Sequence, residues 1–332
     1  MNTRRVLLVG RDYFFYTREI ANELSRSLGA EVDYVPIAPE TAWYSAMKRI
    51  PALSRSWLAH HHRGVLERLA GRTFDQVIFI QCHQLGHELV EAYRSAFAGA
   101  RFKLYYWDSL RTHDYRPFLD YFDEAFSFDP VDVASEPRLQ LLPLFFAERF
   151  RALRSRTEFD HDLVFVGTAM SPRRYDQVQR FRAWARDEGV RMYDYLYVSP
   201  AFYLRTLLRG RRLRGVHFRT LSGAEVHDAY ARSRAILDLP DNIQSGLAMR
   251  TFESLGAHRK LVTTQRRVAN EDFFDARSVF VIGLHGDFPT AQFLASEVHP
   301  AAVIEAYSLA QWTARLTGWT RADDADSISE PG

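Results

Sequence analysis

Short apolar runs of strand length alternate with longer stretches of helical period along this chain, the pattern of parallel sheets with crossover helices. The first run, Val6-Leu7-Leu8-Val9, leads through Gly10 into an amphipathic stretch from Thr17 to Leu28 that stops at Gly29. Strands are expected at Glu31 to Ile37, Gln76 to Gln81, Phe102 to Trp107, Glu124 to Phe128 and Leu139 to Leu142, with helices over Thr41 to Leu69 and His87 to Phe97. From Glu148 to Asp162 the sequence turns polar and aperiodic, which reads as a linker. A second cycle opens at Leu163-Val164-Phe165-Val166-Gly167 and continues with a helix from Arg173 to Asp187, a strand over Val190 to Val198 and a helix from Pro200 to Arg209. Ser222-Gly223-Ala224-Glu225 is a capping box for a helix running to Ser233. Ala235 to Pro240, Lys260 to Thr264 and Val279 to Ile282 are strand-like, Gly246 to Gly256 and Pro300 to Leu316 helical, and the acidic end after Ala322 reads as a tail. The pattern predicts two α/β halves, at residues 1–150 and 160–298, with a helix in 299–320 returning to the first.

Composition narrows the function classes. A chain of 332 residues suits two domains, and 43 basic against 41 acidic residues give a net charge of +2, too even for a protein that coats nucleic acid. The single cysteine, Cys82, excludes an internal disulfide framework and fits a reducing compartment. No run approaches the ~18 apolar residues of a membrane span, and the first strand follows the start without a signal-peptide core, so a cytoplasmic location is expected. GxxxxGK[ST], GxGxxG, HExxH, paired CxxC and GxSxG are all missing, which removes the main support for ATPase, nicotinamide, zinc and serine-nucleophile chemistry.

In open parallel sheets ligands bind outside the carboxyl ends of the strands. The positions to inspect are therefore Gly10 to Tyr13, Cys82 to Gly86, Trp107 to Ser109, Gly167 to Arg173, Tyr197 to Pro200, Pro240 to Gly246 and Thr264. The richest is Leu237 to Thr264. A helix opening at Gly246 lets backbone N–H groups approach a diphosphate, Arg250 can add a fork of donors, and Glu253, about two turns in, can accept from a ribose diol. The same spacing also suits an ordinary surface pair of Arg250 with Glu253.

The run Gln244 to Thr264 resembles the donor-site helix of two-Rossmann-domain (GT-B) glycosyltransferases, in particular the group-1-like and spore-maturation-protein-like enzymes of bacterial lipopolysaccharide and capsule assembly. Asp162 to Gly167 with Arg173 and Arg174 resembles the entry into that group's second domain, and Asp272-Phe273-Phe274-Asp275 its aromatic-acidic turn. The resemblance covers mainly residues 160–285 and implies two Rossmann-like domains facing across a cleft. It implies transfer of a sugar from a nucleotide-activated donor, as substrate and with no further cofactor or metal, to a glycan or lipid-linked glycan. It assigns Glu253 to the ribose and Ser245, Gly246 and Arg250 to the diphosphate, with Gln244, Thr251, Gly167, Arg173 and Tyr197 alongside. One departure is Ser245, which stands where better-known members carry a second glutamate eight residues before the first. A binding protein without turnover and a sugar-nucleotide epimerase are the alternative readings of the same plan.

Glycosyl transfer needs a stabilised diphosphate leaving group and a deprotonated acceptor hydroxyl. The candidate bases are His83 in the loop after the Gln76 strand, Asp108 at the end of the Tyr105-Tyr106-Trp107 strand, and Asp12. Asp160-His161-Asp162 reads as solvated linker charge, and His60-His61-His62 as consecutive helical residues that cannot converge on one ion. With Lys48, Arg49, Arg55, Trp57, Leu58 and Arg63, that helix is a candidate face for peripheral contact of residues 48–63 with anionic lipid at the inner membrane face. Arg205 to Arg214 reads as a surface charge run that can meet a phosphate-rich acceptor, and Cys82 as a small buried residue.

Overall fold

A computed structural model describes residues 3–12, 15–39, 50–240 and 244–320, with backbone alone at 51 and 52. The expectations at Tyr13, over 41–49, at 241–243 and in the tail beyond 320 lie outside the described residues. The chain forms two compact units: Met1–Leu144 with Ile243–Gly246 and Leu309–Gly332, and Phe145–Asn242 with Leu247–Ser308.

The first unit runs β1 (Arg5–Gly10), α1 (Tyr16–Leu28), β2 (Glu31–Pro36), α2 (Pro51–Arg68), β3 (Gln76–Ile80), α3 (His87–Ala96), β4 (Arg101–Tyr106), β5 (Glu124–Ser127), α4 (Pro130–Ser135) and β6 (Leu139–Leu141). Its six strands pair in parallel in the order β2-β1-β3-β4-β5-β6. The central strands are apolar on both faces because both are covered: Val6 to Val9, Val77 to Ile80 and Phe102, Leu104 and Tyr105 are shut off from solvent. Gly10 ends β1 where a Cβ would stand 2.9 Å from the Thr17 methyl and 3.0 Å from Ile80, so α1 can lie close over the strand end only without a side chain there.

The second unit runs α5 (Glu148–Arg151), β7 (His161–Thr168), α6 (Pro172–Asp187), β8 (Met192–Tyr197), α7 (Pro200–Leu208), α8 (Gly223–Ala231), β9 (Ser233–Asp238), α9 (Met249–Gly256), β10 (Lys260–Thr263), β11 (Val279–Val281) and α10 (Ala291–Ala295). Its five strands are parallel in the order β11-β10-β9-β7-β8. The expected capping box forms, with Ser222 accepting from the Glu225 N–H and Glu225 accepting from the Ser222 N–H.

The last helix, α11 (Leu309–Thr317), belongs to the first unit and packs on α1. Buried Lys103 on β4 donates to the carbonyls of Leu316 (3.0 Å) and Thr317 (2.9 Å), and Gln76 donates to Thr317 (2.8 Å), so two side chains from the sheet cap the helix's carboxyl end.

Four expectations need correction. The polar stretch at Glu148 to Asp162 holds α5 and a 3₁₀ turn over Ala152–Ser155 and ends inside β7; Phe150 and Leu153 bury themselves at helical spacing too short to give a visible period. Pro300 to Leu316 is a 3₁₀ turn, Ala302–Tyr307, followed by α11. The expected lipid-facing helix turns Leu58 and His62 inward, His62 bonding the Tyr93 hydroxyl and the Ile37 carbonyl at 2.8 Å each, while Arg55, His60 and Arg63 face out. Lys48 and Arg49 of that segment lie outside the described residues. Asp160 and Asp162 sit at the start of β7 and not in a linker, Asp160 exposed and paired with Arg232, Asp162 paired with Arg191.

Candidate active site

The carboxyl ends of β3, β4 and β5 are adjacent in the first unit's sheet, and the residues immediately after them form one constellation. Gln81, directly after β3, holds a left-handed backbone (φ 63°) that a non-glycine residue adopts only when its surroundings enforce it. That conformation aims its side-chain amide at Asp108, with Nε2 donating to Oδ2 at 2.5 Å, while the amide of Gln244 donates to Oδ1 at 3.3 Å. His113 Nδ1 stands 4.0 Å from Asp108 Oδ2. The Asp108 side chain is 27% exposed, so the carboxylate is oriented on both oxygens and still reachable.

His83 stacks on His113, with ring centres 4.0 Å apart and 22° between planes. Its Nδ1 lies 2.9 Å from the hydroxyl of buried Tyr106. That oxygen already accepts the His83 N–H (3.0 Å) and the Cys82 N–H (3.5 Å), so the phenol's own proton is directed to Nδ1. Burial pushes the Tyr106 hydroxyl far above its ordinary range. Burial, then neighbouring His113 and Arg11, hold His83 down at about 4 against the pull of Asp108. The network therefore assigns a neutral imidazole carrying its proton on Nε2. Such an imidazole has Nδ1 engaged by the Tyr106 hydroxyl and a donor at Nε2. Asp12, at the end of β1, is held by Arg18 at 2.7 Å.

Residues 244–246 belong to this same unit. The Ser245 N–H donates to Asp129 Oδ2 at 2.8 Å and its hydroxyl bonds Oδ1; Asp129 also caps α4 by accepting the Val131 N–H at 3.0 Å. Burial alone would raise the Asp129 carboxyl, but the hydrogen bonds from Ser245, Val131 and the Gly246 N–H hold it below the usual carboxylate range. A Cβ on Gly246 would stand 2.5 Å from the Phe128 ring and 2.8 Å from its carbonyl oxygen. Ser245 thus bonds Asp129 and Gly246 packs on Phe128, and the helix starts at Met249 with Ala248 as an uncapped N-cap.

In the second unit, α9 is buried from Thr251 through Gly256. Arg250 Nη1 donates at 2.7 Å to Asp238, the fully buried last residue of β9, so it forms no surface pair with Glu253. Burial raises the Asp238 carboxyl, opposed by Arg250 and then Arg174. Glu253 lies just past the first turn, not two turns in, and is 7% exposed; burial lifts its carboxyl to about 8. Gly167 is half-buried near the end of β7, Tyr197 half-buried at the end of β8 where it bridges to His217, and Arg173 exposed. Its neighbour Arg174 is the residue that turns inward, donating to the carbonyls of Thr168 (3.2 Å) and Leu239, beside the ends of β7 and β9. Cys82 is buried, and burial pushes its thiol far up and keeps it inert.

The buried Glu253 carries a pH prediction. Its folded value near 8 lies above the ordinary 4.5, so the unfolded chain ionises first as pH rises, and stability falls between those two values. Glu253→Gln is expected to match wild type in urea unfolding at pH 5 and to exceed it at pH 8; equal midpoints at pH 8 would contradict this environment.

Sequence reasoning missed His113, Gln81 and Asp129, and gave Arg174 no role of its own. Gln81 reaches Asp108 through sheet order and His113 through the loop after β4, and Asp129 meets Ser245 across 116 positions of sequence. Arg174 had a visible signal: Ser171 as helix cap, accepting its N–H, fixes which of the two arginines turns in.

Among the described residues, no group of three or more His, Cys, Asp or Glu side chains is placed to hold a metal ion, and no helix is long and apolar enough to cross a membrane. No family model matches the chain, and no curated protein matches it. Solved structures do. The catalytic domain of starch synthase IV from Arabidopsis thaliana, bound to ADP and acarbose, is similar over 98% of this chain and 97% of its own, with TM-score 0.55 and 8% identity. A UDP-GlcNAc 2-epimerase from Neisseria meningitidis bound to UDP-GlcNAc is similar over 95% and 99%, with TM-score 0.50 and 8% identity. At such identities the likeness is one of fold: the chain is an α/β protein with two Rossmann-like domains, the fold class of GT-B structures.

Proposed function

We propose that the chain is a glycosyltransferase that moves a sugar from a nucleotide-activated donor to a hydroxyl of a glycan or lipid-linked glycan. The observation that carries this reading is Asp108, a reachable carboxylate held on both oxygens by Gln81 and Gln244 and flanked by the stacked imidazoles. An acceptor hydroxyl against Asp108 would give up its proton there, while His83 Nε2–H and His113 orient the acceptor's oxygens. In this reading the first unit takes the acceptor and the second the donor, whose ribose meets Glu253 and whose diphosphate meets the uncapped N–H groups opening α9. Arg250 acts by holding Asp238 and so the end of β9, and Ser245 by anchoring the loop. The resemblance of the Gln244 to Thr264 run favours an acceptor of bacterial surface polysaccharide assembly.

A second reading, a sugar-nucleotide epimerase, draws support from the epimerase fold likeness and from a buried carboxyl near 8 at Glu253, a value suited to proton transfer near neutrality. Donor turnover with and without a hydroxyl acceptor separates the two: a transferase releases nucleotide in proportion to added acceptor, and an epimerase converts the donor sugar with none.

A further inference from the structure

Helix α7 turns apolar side chains toward water. Phe202 and Tyr203 pack on the second unit's core and Thr206 is buried, whereas Leu204, Leu207 and Leu208, on one face at i, i+3 and i+4, are 55%, 43% and 80% exposed. Phe218, 53% exposed, sets its ring edge-on to Tyr203 at 5.2 Å and extends the same surface. Eleven large apolar side chains are exposed among the described residues, and four fall within these fifteen positions, so this is a patch and not scatter. Arginines border it. Arg205 and Arg209 stand beside the leucines on α7, and Arg212 and Arg214 come in the next loop, all exposed. Arg211 pairs with Asp176 and Arg219 with Glu225, but these four have no acidic partner among the described residues.

We propose that this surface docks on an anionic lipid membrane, the three leucines and Phe218 entering the boundary between headgroups and acyl chains while the four arginines meet lipid phosphates. The arrangement of apolar centre and cationic border selects this occupant. A nucleic acid would satisfy the arginines and leave the leucines in water, and a second copy of the chain would set arginine against arginine. With a net charge of only +2, the attraction belongs to the patch and not to the whole protein. The proposal stands whether or not the chain transfers sugars.

Sedimentation of the full chain with vesicles tests it, comparing phosphatidylcholine alone with an equal mixture of phosphatidylcholine and phosphatidylglycerol. Binding is expected to the mixed vesicles, little to the neutral ones, and less as salt rises. An Arg205→Ala, Arg209→Ala, Arg212→Ala triple variant is expected to bind about a hundredfold more weakly, roughly fivefold per arginine. A Leu204→Ser, Leu208→Ser variant is expected to lose binding as well, both keeping the wild-type melting temperature because the replaced side chains are exposed. Absence of binding to mixed vesicles, or undiminished binding by either variant, overturns the proposal. So does a dimer that the leucine variant dissolves without any vesicle binding, or arginine-dependent binding of single-stranded RNA in place of vesicles.

Discussion

Asp108→Asn is expected to lower donor turnover by about 10²- to 10⁴-fold, with donor affinity and melting temperature close to wild type. An asparagine keeps the shape of the side chain and part of its contact with Gln81 and Gln244, but it cannot take the acceptor's proton. The loss therefore falls on kcat, because the group acts on a proton that moves only in the transition state. His83→Ala removes a hydrogen-bond donor and not the base, so its turnover is expected to fall less than that of Asp108→Asn. Steady-state kinetics on both variants checks the pair. Near-normal turnover in Asp108→Asn, or a larger loss in His83→Ala than in Asp108→Asn, would return the base to His83.

Arg250→Ala is expected to cost about 3–5 kcal/mol of stability and roughly 10 °C of melting temperature. The reason is Asp238: it is fully buried, its carboxyl sits 2.7 Å from the Arg250 guanidinium, and removal of that cation leaves a charge in an apolar strand end. Exchanging both partners for apolar residues, Arg250→Met with Asp238→Leu, is expected to recover most of the loss, since the buried Asp238 carboxylate is then gone. Thermal and urea unfolding measure both variants. Were Arg250 instead a ligand for the donor diphosphate with no structural role, Arg250→Ala would melt like wild type and fail only in donor binding.

Much of the scaffold was legible along the chain, because buried parallel strands must be continuous apolar runs and the crossovers must carry a helical period. Val6 to Val9 and Leu163 to Phe165 are visible for that reason, and so is the doubly wound plan. The site was legible only in part. Asp108 and His83 stand directly beyond the carboxyl ends of β4 and β3, where an open parallel sheet binds its ligands, and the structure brings them to one sheet edge. The role of each was not legible: it depends on where the Tyr106 hydroxyl sends its proton, which is set by two backbone N–H groups from another strand's loop. The glycine at 246 gives a similar lesson. In the sequence it looks like room for a phosphate, and in the structure it is room for Phe128. Likewise Arg250 and Glu253 look like a surface pair at i and i+3, but burial of α9 sends one to Asp238 and leaves the other as a raised carboxyl. Spacing fixes which residues share a face; which face is buried is decided by strands far away in sequence.

The central claim, that Asp108 serves transfer of a sugar from a nucleotide to a hydroxyl, is tested most directly by mass spectrometry of reactions containing a panel of nucleotide-sugars and hydroxyl-bearing glycan acceptors. The account predicts that one donor yields an acceptor heavier by one sugar and an equal amount of free nucleoside diphosphate, and that Asp108→Asn lowers both products together by the same factor. Release of no nucleotide from any donor, or conversion of the donor sugar at the same rate without acceptor, would contradict it.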